Sequence, residues 1–141
     1  MQRMFAVMVL RELDNPAVLD TLGLALKDSA VEVRRAAVKV FERFDVSDHI
    51  SALLLSLTDE DAEVRRTIIE ILGHCNNEDA LDGLQLALQD GEVWVRASAV
   101  RGLGRVAGSR SCALVESALK YPLGLVSIAA LETLSTLAGA G

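Results

Sequence analysis

The sequence predicts an all-α fold, an α-α superhelix in which about four helical hairpins follow one half repeat, nine helices in all. Three observations predict it. Val33-Arg34, Val64-Arg65 and Val95-Arg96 recur every 31 residues, and Val126 keeps the step with Ser127 in place of the arginine. Leu26, Leu57, Leu88 and Leu119 form one column in that register, and Asp28, Asp59 and Asp90 form another. Ala37, Ile68, Ala99 and Ala130, then Phe41, Leu72, Leu103 and Leu134, form two more. A period of this size marks a solenoid, whose units bury their apolar faces only against neighbours. A composition 51% hydrophobic but 4% aromatic suits one continuous core of Leu, Val, Ile and Ala. Residues 1–141 therefore read as a single domain, with a half repeat at 1–14 and repeats at 15–45, 46–76, 77–107 and 108–139.

The half repeat comes first. Subtracting one period puts Arg3 in the arginine column, Ala6 in the alanine column, Leu10 in the leucine column and Leu13 in the column of Phe44. The chain thus opens midway through a unit. Met4, Phe5 and Met8 are left on surfaces that a neighbouring helix would cover, so this helix is expected either to self-associate or to belong to a longer array. The trailing Gly139-Ala140-Gly141 also suits a fragment.

The first helix of each hairpin is expected over about 16–27, with Asn15 as cap and Pro16 at the tolerated first position. Its equivalents start near Ser47, Glu78 and Ser109. Val18, Leu22, Ala25 and Leu26 make its buried stripe, leaving Asp20, Gly23 and Lys27 outward. The second helix is expected over about 31–44. Val33, Ala37, Val40, Phe41 and Phe44 share one side of it and repeat as Val64, Ile68, Ile71, Leu72 and Cys75, then as Val95, Ala99, Gly102, Leu103 and Val106. One flank carries Val38, Ile69, Val100 and Leu131 and the other Ala36, Thr67, Ser98 and Ala129, so large residues can pack onto small ones between equivalent helices.

These residues resemble the HEAT repeat, particularly the short bacterial type of the phycobilisome lyases. The pattern is a leucine-ended first helix, an Asp in the turn, Val-Arg opening the second helix, then Ala and Leu. It reads Leu57, Asp59, Val64, Arg65, Ile68, Leu72 and again Leu88, Asp90, Val95, Arg96, Ala99, Leu103. The resemblance implies a right-handed superhelix whose second helices line the concave surface. It also implies a structural ladder of charge-assisted hydrogen bonds between units, using Asp28, Asp59 and Asp90 with Arg34, Arg65 and Arg96. The last unit loses both partners together, with Tyr121 and Ser127 in their places.

On that concave surface the outward columns hold Arg35, Lys39, Arg43; Arg66, Glu70, His74; Ala97, Arg101, Arg105; and Ile128, Glu132, Thr136. With Glu42, Gly73, Gly104 and Ser135 beside them, the face is locally basic although the whole chain carries a formal charge of −6. The leading expectation is a non-enzymatic scaffold that binds a protein or acidic peptide along Arg35, Lys39, Arg66, Arg101 and Arg105, with Glu70 and His74 among the contacts. An ordinary solvated helix face is the alternative reading. Trp94 stands where Glu32 and Glu63 stand in earlier units, either as a contact anchor or lying over its neighbours' aliphatic stems.

Other classes receive less support. The resemblance alone raises a chromophore (bilin) lyase subunit. A HEAT-like nucleic-acid protein is disfavoured by the negative charge and the scarcity of aromatics for stacking bases. No metal, cofactor or catalytic group is expected: His74 and Cys75 point about 100° apart, His49 and Cys112 lie in different units, and no His-Glu pair occurs of the kind that holds iron in the HEAT-like hydroxylase. The apolar run at 4–10 is too short to span a membrane and lacks a secretory cleavage pattern, so a cytoplasmic protein is expected. Cys75 and Cys112 fall in core columns, as thiols suited to a reducing compartment.

Overall fold

The computed structural model describes residues 2–106 together with Cys112, Ala113, Val115 and Glu116. Seven α-helices lie among them: α1 (Gln2–Glu12), α2 (Val18–Ala25), α3 (Val31–Phe41), α4 (Ile50–Leu55), α5 (Ala62–Leu72), α6 (Glu78–Ala87) and α7 (Val93–Arg105), with a 3₁₀ turn at Ser56–Thr58 after α4. No strand occurs among the described residues. Of the expected eighth helix only Cys112, Ala113, Val115 and Glu116 are described, all four helical, and the expected ninth helix, with Tyr121, Ser127, Ile128 and Glu132, lies outside the described residues. Two compact units divide the chain, Met1–Ile68 and Ile69–Gly141.

In the first unit α2 packs against α3, and α1 also packs against α3. Val33, Ala37, Val40 and Phe41 of α3 meet Val18, Leu19, Leu22 and Leu26, all buried. The contact of α1 with α3 sets equivalent helices of successive repeats side by side. Val7, in the column of Val38, is the buried residue of α1. In the second unit α6 packs against α7, burying Leu81, Leu84, Ala87 and Leu88 with Val95, Ala99 and Leu103.

The helices are shorter than their periodicity suggests. The amides of Arg43 and Phe44 reach back only three residues, to the carbonyls of Val40 (3.1 Å) and Phe41 (3.3 Å), so α3 tightens and ends before position 44. The helix expected to start near Ser47 starts at Ile50, because Asp45 accepts both the amide and the hydroxyl of Ser47 and holds a turn there instead. Asn15, three residues before α2 begins, accepts the Ala17 amide at 2.9 Å. At α6 the cap is fuller, with Asn77 Oδ1 taking the amides of Asp79 (2.7 Å) and Ala80 (3.4 Å).

Several placements differ from the sequence pattern, among them Ala25, Phe44 and Val106, which are half-buried where their stripes predict burial. Cys75 and Cys112 are half-buried rather than in the core, and Cys75 Sγ donates to the Ile71 carbonyl at 3.4 Å. Ala97, expected on the outward column, is fully buried beside Ser98 on its small-residue flank. A methyl group leaves room for its surroundings to close over it, whereas the arginines of that column cannot be covered so cheaply.

Candidate functional site

Between the two helices of each of three described hairpins the turn is built from one aspartate and one arginine six residues later. Asp28, Asp59 and Asp90 each accept the amide two residues on, from Ala30 (2.8 Å), Asp61 (2.9 Å) and Glu92 (2.9 Å). The guanidinium Nη1 of Arg34, Arg65 and Arg96 donates to the carbonyl of the aspartate in its own turn, at 2.8, 2.7 and 2.7 Å. A second bond reaches the next repeat. Arg3 Nε meets Asp28 Oδ2 at 2.6 Å, and Arg34 binds Asp59 through Nε at 2.8 Å and Nη2 at 3.2 Å. The Arg34 and Asp59 side chains are only 9% and 6% exposed, so this fork is a desolvated pair. Arg34 is held above its ordinary value by the Asp59 hydrogen bond, and Asp28 below its own by the Ala30 amide, aided by Arg3.

The basic face proves less uniform than its composition. Arg35 donates to Asp61 Oδ2 (2.9 Å) and Oδ1 (2.6 Å) and lies 3.3 Å from Glu63, so its charge is spent within the fold. Asp61 also accepts the Val64 amide at 3.1 Å and so caps α5, and the Arg35 hydrogen bond holds its carboxyl below the usual range. Lys39 lies 3.5 Å from Glu42. Arg43 donates to the Arg11 carbonyl and lies over the Phe44 ring, 5.6 Å from its centroid. Arg66 is exposed and Glu70 half-buried.

In the second unit His74, Arg101 and Arg105 are exposed, and the His74 Nδ1 lies 2.8 Å from the Glu70 carbonyl. Gly73 and Gly102 let the end of α5 approach α7 closely. A Cβ on Gly73 would stand 2.8 Å from Gly102 Cα and 3.2 Å from Arg105 Nη1, so the Arg105 guanidinium lies over the Gly73 backbone. Arg101 and Arg105, one turn apart, form no ion pair with another described residue.

Trp94 is half-exposed on the first turn of α7. On α1, Met4 is half-buried, whereas Phe5, Met8 and Val9 are exposed, as is Leu13 just past its end. Leu24, Leu55 and Leu86, at 77%, 67% and 69% exposure, share one repeat column that the helical pattern alone did not single out. The 31-residue register was the available signal, since three leucines recur at one position on an otherwise polar side.

The histidines are not brought together by any one unit. His49 in the first lies 2.8 Å from Asp20 and edge-on to Phe41, while His74 belongs to the second. Among the described residues no group of three or more His, Cys, Asp and Glu is arranged to hold a metal ion. No helix among them is long and apolar enough to cross a membrane.

Comparison with known proteins agrees with this architecture. Human deoxyhypusine hydroxylase, solved in complex with glycerol, is similar with a TM-score of 0.74 and 21% identity, over 91% of this chain and 45% of that one. The likeness is one of fold, and this chain spans less than half the length of that protein. No curated protein sequence matches. Residues 3–40 match a family described as HEAT repeat associated with sister chromatid cohesion. Residues 50–135, more than half of the sequence, match the family described as HEAT repeats, and with the turn clamp recurring in three successive units the chain belongs to the HEAT-repeat family.

Proposed function

We propose that this chain is a non-enzymatic protein-interaction scaffold, part of an α-α solenoid, that binds an acidic peptide or protein surface with the outward side of its second helices. The reading rests on Arg101 and Arg105. They stand one turn apart on α7, exposed, with His74 in the same unit. Guanidinium groups that pair with no described carboxylate keep their potential for acidic side chains, and two on one helix face suit a fork-like match to them. Arg35 and Lys39 are already engaged with Asp61 and Glu42 and are not counted among the contacts. Trp94, half-exposed at the start of the same helix, offers an aromatic edge to the site.

The test measures binding of a fluorescein-labelled poly-glutamate peptide at low salt. Arg101→Glu combined with Arg105→Glu should weaken it at least about tenfold, and Arg35→Ala should weaken it by less than about threefold. Equal binding by wild type and double variant removes this face.

A further inference from the structure

We propose that the acidic ligand is a short extended segment bearing one apolar side chain as well as a pair of acids, a proposal that rests on the reading of Arg101 and Arg105 above. The acids bond the two guanidiniums and the apolar group lies on Trp94. In α7 Trp94 and Arg101 are seven residues apart, and Arg101 and Arg105 four. Those steps bring all three within about 40° of one another around the helix axis. Two other sides of α7 are occupied. One buries Val95, Ala99 and Leu103 against α6, and at another Gly102 meets Gly73 at the end of α5. Trp94 nevertheless stays 51% exposed, and both arginines are exposed. The open side thus belongs to a helix that its own neighbours already cover on two sides.

Spacing and charge together define the occupant. Neither arginine pairs with a described carboxylate, and the Arg105 guanidinium is seated over the Gly73 backbone. The helical rise sets the two arginines about 6 Å apart, close to the roughly 6.6 Å between alternate residues of an extended chain. Two acids separated by one residue therefore meet both. Trp94 stands about 10 Å nearer the start of the helix, a span of three to four extended residues, and the fourth returns to the face that holds the acids. What lies over the ring follows from charge. A cation there is opposed by two guanidiniums on the same side, and an acid by Glu92, exposed at the head of the helix. An aliphatic or aromatic side chain meets neither objection and takes the exposed part of the indole out of water. The equivalent column positions in α3 and α5 are Glu32 and Glu63, both exposed and both repelling an acidic ligand, so among the described units this combination belongs to α7.

The experiment uses the full chain and two synthetic peptides, Leu-Ser-Ser-Ser-Glu-Ser-Glu and the same peptide with serine for leucine, each also made in the reversed order. Fluorescence anisotropy of the labelled peptides at low salt should show wild type holding a leucine peptide, in one order, at least about fivefold tighter than its serine counterpart. Trp94→Ala should abolish that difference and leave binding of the serine peptides within about twofold, while Arg101→Glu combined with Arg105→Glu should weaken every peptide at least about tenfold. Trp94 is the sole tryptophan. In the unaltered protein its emission should therefore move to shorter wavelength with the unlabelled leucine peptide and stay in place with the serine peptide. Leucine and serine peptides bound alike in both orders, an unmoved Trp94 emission, or a leucine preference that survives Trp94→Ala overturns the proposal and leaves the arginine reading standing. Binding indifferent to the double arginine substitution overturns that reading, and the proposal with it.

Discussion

Arg34 and Asp59 form the desolvated pair on which the first unit turns. Breaking a buried pair from one side leaves an uncompensated charge, whereas removing both charges together costs far less. Asp59→Ala should therefore destabilise by about 3 kcal/mol in urea unfolding, and Arg34→Met combined with Asp59→Leu should recover most of that loss. Equal losses in single and double variants would show that the aspartate acts only through the Asp61 amide. A second consequence concerns acid. The carboxyls of Asp61, Asp28 and Asp45 are lowered in the fold, by the Arg35 hydrogen bond, by the Ala30 amide and by Ser47 respectively. Groups depressed in the folded state add stability above their unfolded value of about 3.9, and that stability is lost as pH falls through the lower folded values. The melting temperature should be nearly level from about pH 7 to 5 and fall below about pH 4, with a shallower fall in Asp61→Asn; an unchanged slope in that variant refutes the assignment.

At the scale of the element, glycine separates two kinds of helix surface. A Cβ on Gly23, inside α2, would meet nothing within 4 Å, so Gly23→Ala should raise stability by roughly 0.5–1 kcal/mol through helix propensity alone. A Cβ on Gly73 would stand 2.8 Å from the Gly102 backbone. Backbone cannot yield as a side-chain tip can, so Gly73→Ala should lose about 1–3 kcal/mol despite the better propensity. Parallel thermal melts check both, and a stabilising Gly73→Ala would mean that the helices part without cost. The elements themselves were legible because their buried stripes repeat: Val33, Ala37, Val40 and Phe41 are buried as their columns require. Their ends were not, because Asp45 and the three-residue bonds at Arg43 and Phe44 are local competitions that periodicity does not register.

For the whole molecule the decisive quantity is charge. A formal −6 repels a phosphate backbone, and the fold spends Arg34 and Arg35 on its own carboxylates. A double-stranded oligonucleotide should therefore pass unretarded in an electrophoretic assay at low salt; a shifted band lost on raising salt would reinstate a nucleic-acid role. The candidate site was only partly legible for the same electrostatic reason. Arg35, Lys39, Arg101 and Arg105 look alike as a column of bases, yet Arg35 meets an acid 26 residues away and Arg101 meets none among the described residues.

The sequence by itself determined the family, the register, most of the buried columns and the recurrence of one Asp and one Arg in three successive turns, because a repeat prints each packing requirement several times. Tertiary structure alone decided which charges are engaged within the fold and where each helix ends. The first depends on residues brought together from different repeats and the second on local bonds, and neither leaves a period in the chain.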